Sequence, residues 1–167
     1  ANGVHIPGIR KSKDLELAAI CDIKPDVLEK TGRALDIPEA HRFSDYRDLI
    51  ACPDVEVVDV ATPNRVHAEI AIAALRAGKP TICEKPLVLN TWNLDGLEDI
   101  EKDTGKRIYH ILQLRLHPSV QKLKEKIDSD TSGRVYDIDL TYITGRGKWY
   151  YYSWKADEAK SGGITDI

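Results

Sequence analysis

The chain has 167 residues, 42% of them hydrophobic, and a formal net charge of −3. This length accommodates one full domain or one domain with part of a second, and the apolar content is enough for a core, which excludes a disordered chain. The slightly acidic balance argues against nucleic acid as the main partner. No apolar run approaches the roughly 20 residues that cross a bilayer. We therefore expect a folded protein with neither a nucleic-acid partner nor a membrane partner.

The cysteines and the first residues indicate a cellular compartment. The three cysteines are an odd number without the spacing of metal ligands, which favours a reducing environment and no metal site. Residues 1–14 contain no apolar signal segment, so we expect a cytoplasmic protein. The chain lacks methionine and stops at Asp166-Ile167 in mid-pattern, and we interpret it as a fragment of a longer protein.

Strands and helices alternate over the first two thirds of the sequence. Runs of β-branched and apolar residues predict strands at 15–22, 42–44, 55–61, 81–83 and 107–114. Helical spacing predicts helices at 25–35, 46–51, 66–77, 90–102 and 118–127. Strands that alternate with helices of this length build βαβ units. The sequence therefore predicts an α/β fold with a doubly wound parallel sheet.

The helix ends carry their own signals. Gly78 follows an Ala-rich helix and is expected to be its C′ residue, because a glycine readily adopts the left-handed conformation there. Asn90 or Thr91 is expected to cap the next helix, and Gly105 to end it.

The pattern changes after Gly133. Residues 135–144 alternate apolar and polar side chains with period two, which is typical of an amphipathic strand in an antiparallel sheet. We therefore expect a domain boundary near residue 117, with a first domain at 1–117 and the beginning of a second at 118–167.

Glu84 and Lys85 stand directly after the predicted strand 81–83, and Pro86 ends that strand. Open α/β sheets bind ligands at the carboxyl ends of their strands. Partial desolvation there favours an uncharged amine on Lys85, which can then take part in proton transfer. A solvated ion pair at a strand end would have the same sequence.

Asp22 ends the first predicted strand. A dinucleotide-binding sheet begins with a strand, a glycine-rich turn and a helix, and an acid about 20 residues beyond the glycines binds the adenine ribose. Counting back from Asp22 reaches Ala1, so the glycine turn is expected to precede this chain. Asp22 then favours NAD over NADP, although an acid before Lys24-Pro25 is also typical of an ordinary turn.

The stretch 61–90 carries a family resemblance. It contains in order Thr62-Pro63-Asn64, His67, Ala77-Gly78-Lys79-Pro80 and Glu84-Lys85-Pro86. In this combination it resembles the glucose–fructose oxidoreductase/inositol dehydrogenase/rhizopine catabolism (Gfo/Idh/MocA) family of NAD(P)-dependent sugar dehydrogenases. The resemblance implies an N-terminal Rossmann domain at 1–117 and, from 118, a C-terminal α/β domain with an open antiparallel sheet. The binding cleft would lie between the two domains.

The resemblance also implies roles for individual residues. It implies NAD as the cofactor, with contacts from Asp22, Thr62, Asn64, His67, Glu84 and Lys85. It makes Lys85 the catalytic lysine beside the reacting hydroxyl. Residues 161–166 fit the approach to an Asp-x-x-x-His pair, which makes Asp166 a second catalytic residue; some close members have Asn there, so its detailed role stays open. His67 could also be a surface histidine at a helix start.

Cations and aromatic residues are interleaved in the second half. Arg146 and Lys148 precede a cluster formed by Trp149, Tyr150, Tyr151, Tyr152 and Trp154. Cations can hold a carboxylate or diphosphate, and rings can stack on a base or a sugar face. A hairpin with an aromatic rim, or a subunit interface, would have the same composition.

Residues 111–115, 139–147, 149–150 and 153–155 are similar to the bacterial UDP-N-acetylglucosaminuronate 3-dehydrogenases within that family. This similarity implies substrate contacts from Lys85, Gln113, Arg115, Arg146, Trp149, Tyr150 and Trp154. It implies oxidation of the C3 hydroxyl of the UDP-sugar in surface polysaccharide synthesis. The alternatives are a family dehydrogenase for a free sugar or inositol, and a catalytically silent NAD(H)-binding protein. We also expect a homo-oligomer formed through the C-terminal sheet.

Overall fold

The computed structural model describes residues 3–129, 133–134 and 147–162, and the single residues 137, 139, 141, 143 and 145. The helices in this part are α1 (His5–Lys11), α2 (Pro25–Ala34), α3 (Tyr46–Ala51), α4 (His67–Arg76), α5 (Thr91–Thr104), α6 (Pro118–Asp128) and α7 (Glu158–Ser161). The strands are β1 (Ile20–Cys21), β2 (Arg42–Phe43), β3 (Val58–Val60), β4 (Thr81–Cys83) and β5 (Ile108–His110). Short 3₁₀ helices lie at Glu39–His41, Asn64–Val66, Gln113–Leu116, Lys148–Tyr150 and Trp154–Ala156.

All strand pairs among the described residues are parallel. β1 pairs with β2, and β4 lies between β3 and β5. In the second sheet Val60 is opposite Cys83, and Cys83 is opposite His110. Parallel pairing brings the carboxyl ends of β3, β4 and β5 to one edge of the sheet. The predicted α/β fold with a parallel sheet is confirmed.

The end of α4 follows from its glycine. Gly78 has a φ of +78°, its N–H donates to the Leu75 carbonyl at 2.9 Å, and the N–H of Lys79 donates to the Ala74 carbonyl at 2.9 Å. These are the two hydrogen bonds of a Schellman motif, with Gly78 at C′ as predicted. The motif turns the chain directly into β4.

Both predicted caps of α5 are present. The side chain of Asn90 accepts a hydrogen bond from the N–H of Asn93 at 2.9 Å. Gly105 ends the helix at a φ of +66°. The helix runs to Thr104 rather than to residue 102, because the Gly105 N–H still bonds the Glu101 carbonyl at 3.0 Å and so extends the helical hydrogen bonding.

The core surrounds α4. One cluster joins this helix to α3, β3 and β4 through Ile50, Cys52, Val55, Val58, Val60, Ile70, Ala74 and Cys83. A second cluster, Ala71, Leu75 and Leu97, joins it to α5. Small side chains allow a helix to approach two neighbours closely, which is what its alanine-rich sequence provides. The carboxyl ends of β3 and β4 are thereby held against a helix that is buried on two sides.

Several strands are shorter than predicted. Strand pairing at 15–22 is limited to β1, because β2 offers only two residues as its partner. The strand predicted at 107–114 ends at His110, and the chain enters a 3₁₀ helix at Gln113. The Ile111 N–H bonds the Cys83 carbonyl at 2.9 Å, and β4 ends there, so the residues after Ile111 have no strand to pair with on that side. The predicted strand 135–144 falls largely outside the described residues.

Helix α1 was not predicted from the sequence. Its seven residues include Pro7 and Gly8, which lower the helical tendency of the segment. Pro7 is tolerated because the first N–H groups of a helix need no partner within it. Ile6 is buried and attaches the helix to the body of the protein. Among the helices of the described ranges, none has the length and apolar content needed to cross a bilayer.

Replacing Leu75 should reveal how strongly the core depends on α4. Leu75 is 0% exposed, so Leu75→Ala should lower the free energy of unfolding by about 2–5 kcal/mol, through lost burial and the cavity left behind. Leu94→Ala is the matched control, because Leu94 is 38% exposed. Denaturant unfolding of the intact protein measures both, and equal losses would contradict the assigned core.

Candidate active site

Three loops meet where β3, β4 and β5 end. Thr62 follows β3, Glu84 and Lys85 follow β4, and Gln113 follows β5. They border a cleft of about 320 Å³. The cleft is lined by Gly3, Val4, His5, Ala61, Thr62, Asn64, His67, Glu84, Lys85, Gln113, Trp154 and Lys155.

His67 connects the two central loops of this cleft. Its side chain stands at the start of α4 and is almost completely buried. Nδ1 lies 2.7 Å from the Pro86 carbonyl oxygen and Nε2 lies 2.8 Å from the Thr62 carbonyl oxygen. Carbonyls only accept hydrogen bonds, so each ring nitrogen that carries a proton can donate to the carbonyl it faces. The alternative of a surface histidine is wrong: His67 joins the loop after β3 to the loop after β4.

His5 forms a second connection, between acidic side chains of β3 and β4. Its Nδ1 lies 3.0 and 2.8 Å from the two carboxylate oxygens of Asp59. Its Nε2 lies 3.0 Å from Oε1 of Glu84. The imidazole is 8% exposed, so this charged group stands in the protein wall beside the cleft.

Protonation of the His5–Glu84 pair follows from these contacts. Burial by itself lowers the pKa of His5, but the hydrogen bond to Glu84 and the charge of Asp59 outweigh it and raise that pKa above its ordinary value. Burial by itself raises the pKa of Glu84, but hydrogen bonds from His5 and from the Lys85 N–H outweigh it and lower that pKa. Both shifts therefore favour the charged form of the pair.

Lys85 is half-buried and lines the cleft beside Glu84. Its backbone N–H donates to Oε2 of Glu84 at 2.9 Å, and the peptide bond to Pro86 is cis. Glu84 thus accepts a hydrogen bond from His5 on one oxygen and from the Lys85 backbone on the other. This arrangement links the backbone N–H of Lys85, through Glu84 and His5, to the sheet.

The segment 154–162 closes one side of the cleft. Asn64 is buried, and its amide donates to the Ser161 carbonyl at 2.8 Å. Arg65 donates to the Ala159 carbonyl at 3.3 Å. These bonds attach α7 to the loop after β3, and the preceding 3₁₀ helix brings Trp154 and Lys155 to the cleft.

Lys155 brings a second cation to the cleft. Its Nζ lies 5.4 Å from the ring centroid of Trp149 and 5.9 Å from that of Trp154. Contacts at this range are cation–π interactions, which steady a flexible lysine. Lys85 and Lys155 thus both bring an amine to the cleft.

Two buried side-chain atoms in the described part of the chain lack a hydrogen-bond partner: Thr62 Oγ1 and His110 Nε2. Thr62 borders the cleft, where a bound ligand can supply the partner. Burial lowers the pKa of His110, and the nearby charges of His67 and Arg115 lower it further. His110 is therefore neutral at physiological pH.

The cleft brings together seven of the residues predicted from the sequence. They are Thr62, Asn64, His67, Glu84, Lys85, Gln113 and Trp154. Two predicted residues, Arg146 and Asp166, lie outside the described residues.

Four other predicted residues are described but do not line the cleft. Asp22 is at the end of β1, where its Oδ1 accepts a hydrogen bond from the Lys24 N–H at 2.9 Å. Arg115 is exposed in the 3₁₀ helix after β5. Trp149 is also exposed, whereas Tyr150 is buried against the rings of Trp149 and Tyr151.

Sequence reasoning missed three residues of this region: His5, Asp59 and Lys155. The sequence pattern marks Asp59 only as a polar position within an apolar strand, and His5 belongs to the unpredicted helix α1. Their proximity arises from packing between segments 54 and 79 residues apart, which periodicity does not detect. Lys155 had a detectable signal, since it directly follows Trp154 in the aromatic cluster.

Comparison with protein families gives a match over residues 2–111. The matching family is Gfo/Idh/MocA, described as an oxidoreductase family with an NAD-binding Rossmann fold. The matched range includes all five strands and most of the residues that line the cleft.

Among curated proteins, similar sequences are sugar and inositol dehydrogenases. Levoglucosan dehydrogenase of Pseudarthrobacter phenanthrenivorans is 38% identical over 126 residues, which cover 74% of this chain and 31% of that protein. Inositol 2-dehydrogenase of Salmonella typhimurium is 38% identical over 123 residues, which cover 72% of this chain and 36% of that protein. The chain thus spans about a third of the length of these relatives.

Among solved structures, the WlbA (WbpB) dehydrogenase of Thermus thermophilus in complex with NAD and UDP-GlcNAcA is 36% identical with a TM-score of 0.71. The similarity covers 92% of this chain and 51% of that one. The WlbA dehydrogenase of Bordetella pertussis, in complex with NADH and UDP-GlcNAcA, is 28% identical with a TM-score of 0.73. That match covers 79% of this chain and 38% of that one.

Removing the His67 imidazole should loosen both central loops. His67→Ala should lower the free energy of unfolding by about 2–4 kcal/mol, since it leaves a cavity and removes the ring contacts to the Thr62 and Pro86 carbonyls. His67→Gln should lose less, because an amide can still donate to a carbonyl. Denaturant unfolding of the intact protein measures the losses. Equal losses for Ala and Gln would argue that volume, rather than hydrogen bonding, explains the burial of His67.

Proposed function

Because the chain belongs to the Gfo/Idh/MocA family of NAD-binding oxidoreductases, we propose that the protein is an NAD-dependent dehydrogenase that oxidises the C3 hydroxyl of UDP-N-acetylglucosaminuronate. The observation that carries this proposal is the meeting of Lys85, Glu84 and Gln113 with Trp154 and Lys155 in one cleft at the carboxyl ends of parallel strands. Similarity to dehydrogenases solved with UDP-GlcNAcA supports the choice of substrate. The reaction would serve surface polysaccharide synthesis.

The residues at the cleft are chemically suited to NAD. Carboxyl ends of parallel strands are where this class of sheet binds nucleotides. The Thr62 hydroxyl, buried and without a partner among the described residues, can bond a ribose or phosphate oxygen. A Cβ added at Gly3 would meet no atom within 4 Å, so the backbone there is open to a ligand. Asp22, Asn64, His67 and Glu84 complete the proposed cofactor-binding set.

NAD, when bound, supplies the acceptor for the hydride that leaves C3 of the sugar. Lys85 then acts as the general base, because its amine takes the proton of the C3 hydroxyl as the carbonyl forms. Asp166 is proposed to orient or tune Lys85 together with the histidine of the Asp-x-x-x-His pair that the family resemblance implies. Glu84 carries a full negative charge beside Lys85 and keeps the lysine backbone in place through its own hydrogen bond.

Substrate recognition is proposed to involve the second half of the chain. Trp154 offers an aromatic face at the cleft, and Lys155 a cation suited to a carboxylate or diphosphate. The further proposed contacts are Arg115, Arg146, Trp149 and Tyr150. Residues 1–117 would form the cofactor domain and residues 118–167 the start of the substrate domain, whose sheet would build a homo-oligomer.

A second candidate has support of its own. Inositol dehydrogenases are among the curated relatives, at 37% and 38% identity. Dehydrogenation of inositol or a free sugar would use the same Lys85.

Cofactor choice follows from Asp22. The intact protein should bind NAD at least about tenfold more tightly than NADP, a difference of about 1.4 kcal/mol, because a 2′-phosphate would meet the Asp22 carboxylate. Asp22→Ser should reduce that preference, and Asp26→Ser, in the first turn of α2, is the acidic control. Titration of tryptophan fluorescence measures the binding. Tighter binding of NADP by the unaltered protein would refute the role of Asp22.

Lys85 and the substrate can be tested in one assay. The NAD-loaded intact protein should form reduced nicotinamide at 1:1 stoichiometry with UDP-N-acetylglucosaminuronate, and not with UDP-N-acetylglucosamine or inositol. Lys85→Ala should slow this by roughly 10²–10⁴-fold, the range for a general acid–base group, and leave NAD affinity nearly unchanged.

Lys102→Ala is the control, because Lys102 is exposed on α5 and pairs only with Asp99 at 3.3 Å among the described residues. Reduction by inositol alone would favour the second candidate. Near-normal single turnover by the Lys85→Ala protein would remove Lys85 from the chemistry. Binding of NADH without turnover of any sugar would favour a silent NAD(H)-binding protein.

A further inference from the structure

A histidine bridges two carboxylates in the wall of the cleft. His5 reaches Asp59 of β3 through Nδ1 at 2.8 Å and Glu84, after β4, through Nε2 at 3.0 Å. Asp59 and Glu84 lie on adjacent parallel strands, so the imidazole crosses from one strand to the next at the edge where the cleft opens. The general chemistry proposed for the site does not use this group.

The geometry requires protons on both ring nitrogens. Ionised carboxylates only accept hydrogen bonds, and a neutral imidazole has a single N–H to donate. Two short contacts to two carboxylates are therefore satisfied together only by the imidazolium. The surroundings agree, since Asp59 is 22% exposed, Glu84 is 31% exposed and the imidazole itself is 8% exposed. Charges this poorly solvated attract each other more strongly than surface ion pairs do.

We infer that His5 is a positioning residue, an imidazolium that fixes Glu84 and through it sets Lys85 for proton transfer. The inference rests on the proposed function, because it assigns His5 to the same reaction. The two carboxylate oxygens of Glu84 have separate partners, since Oε1 accepts from His5 and Oε2 accepts from the Lys85 N–H at 2.9 Å. The Glu84 N–H donates to the Val60 carbonyl at 3.0 Å, so its backbone is also tied to β3.

Without His5, Glu84 would keep its backbone hydrogen bond and lose the partner that orients its carboxylate. Asp59 would be left as a poorly solvated charge, and it would repel Glu84 across the strand pair. Glu84 could then rotate, and the carboxylate would no longer hold the Lys85 backbone at one distance from the sheet. Catalytic rate is sensitive to displacements of about 1 Å at such positions.

The bridge also depends on pH. The charged groups that contact His5 are Asp59 of β3 and Glu84 after β4, and the Lys85 charge acts on Glu84. Nearby, burial and the charges of Asp59 and Glu84 raise the pKa of the Cys83 thiol to about 12. Since the His5 pKa is raised above 6.5, its contribution to stability is complete below pH 6.5. That contribution is lost as the pH rises through the folded-state value, when one of the two hydrogen bonds loses its proton.

The test compares His5→Ala and His5→Gln with the unaltered intact protein. His5→Ala should lower kcat for the sugar nucleotide by about 10- to 100-fold, as for groups that orient ligands at catalytic sites. KM for the sugar nucleotide should stay within a few-fold. His5→Gln should recover part of the rate, because its amide can donate to one carboxylate. In a Glu84→Gln background, His5→Gln should cause little further loss, since both act through one carboxylate.

His41→Gln is the matched control. His41 also pairs with an aspartate, Asp54, at 3.1 Å, but away from the cleft. It should leave kcat unchanged. Equal kcat for His5→Ala and the unaltered protein, with lower stability alone, would overturn the inference, and so would additive losses in the His5→Gln/Glu84→Gln double variant.

A readout without turnover separates this inference from the proposed function. Nitrogen-15 NMR of the intact protein at pH 7 should give imidazolium shifts for both ring nitrogens of His5. As the pH is raised above 6.5, the midpoint temperature of thermal unfolding should decrease more steeply for the unaltered protein than for His5→Gln. A singly protonated His5 ring would overturn the bridge even in an active enzyme. If the NMR shifts and the pH dependence are both observed in a protein that turns over no sugar, the proposed function is wrong and the His5 bridge is still supported.

Discussion

The cleft depends on the parallel register of β3 and β4. Val60 stands opposite Cys83, so the two chains leave the sheet side by side, one as the Thr62 loop and the other as Glu84-Lys85-Pro86. Loops at such an edge contain carbonyls that the sheet no longer pairs, and buried carbonyls need donors. His67 places a ring nitrogen against one carbonyl of each loop, at 2.8 and 2.7 Å. One buried side chain thus joins the loops that follow β3 and β4.

Acidic and basic side chains alternate where β3 and β4 end. The acids of β3 and β4 would repel each other at the strand ends, and the His5 imidazole lies between them. Lys85 and Lys155 also line the cleft, the second from the segment 154–162 that closes it. Poorly solvated charges persist when each has a neighbour of opposite sign and a hydrogen bond. The order acid, imidazolium, acid meets that condition with residues from separate segments of the chain.

Family membership and local geometry concern different parts of the molecule. The family match at 2–111 accounts for the sheet, the loops and NAD as the family's cofactor. The segment 154–162 lies beyond that match, yet it bonds Asn64 and Arg65 and contributes Trp154 and Lys155 to the cleft. The family match therefore covers most of the residues that line the cleft, and the segment 154–162 adds Trp154 and Lys155 from outside it.

Local signals in the sequence predicted helices α2 to α6, the caps of α4 and α5 and the positions of the loops, whereas α1 and α7 were not predicted. Gly78, Asn90 and Gly105 act within a few residues of themselves, so their effects can be predicted without a fold. The stretch 61–90 likewise indicated the family and the positions of Thr62, Glu84 and Lys85. The lengths of the strands were decided by their partners, since a strand exists only where a second chain lies beside it. The His5 bridge and the burial of His67 were decided by tertiary structure alone, because they join residues 5, 59 and 84, and residues 62, 67 and 86, through space. No periodicity in a sequence records how far apart in space two charged side chains will lie.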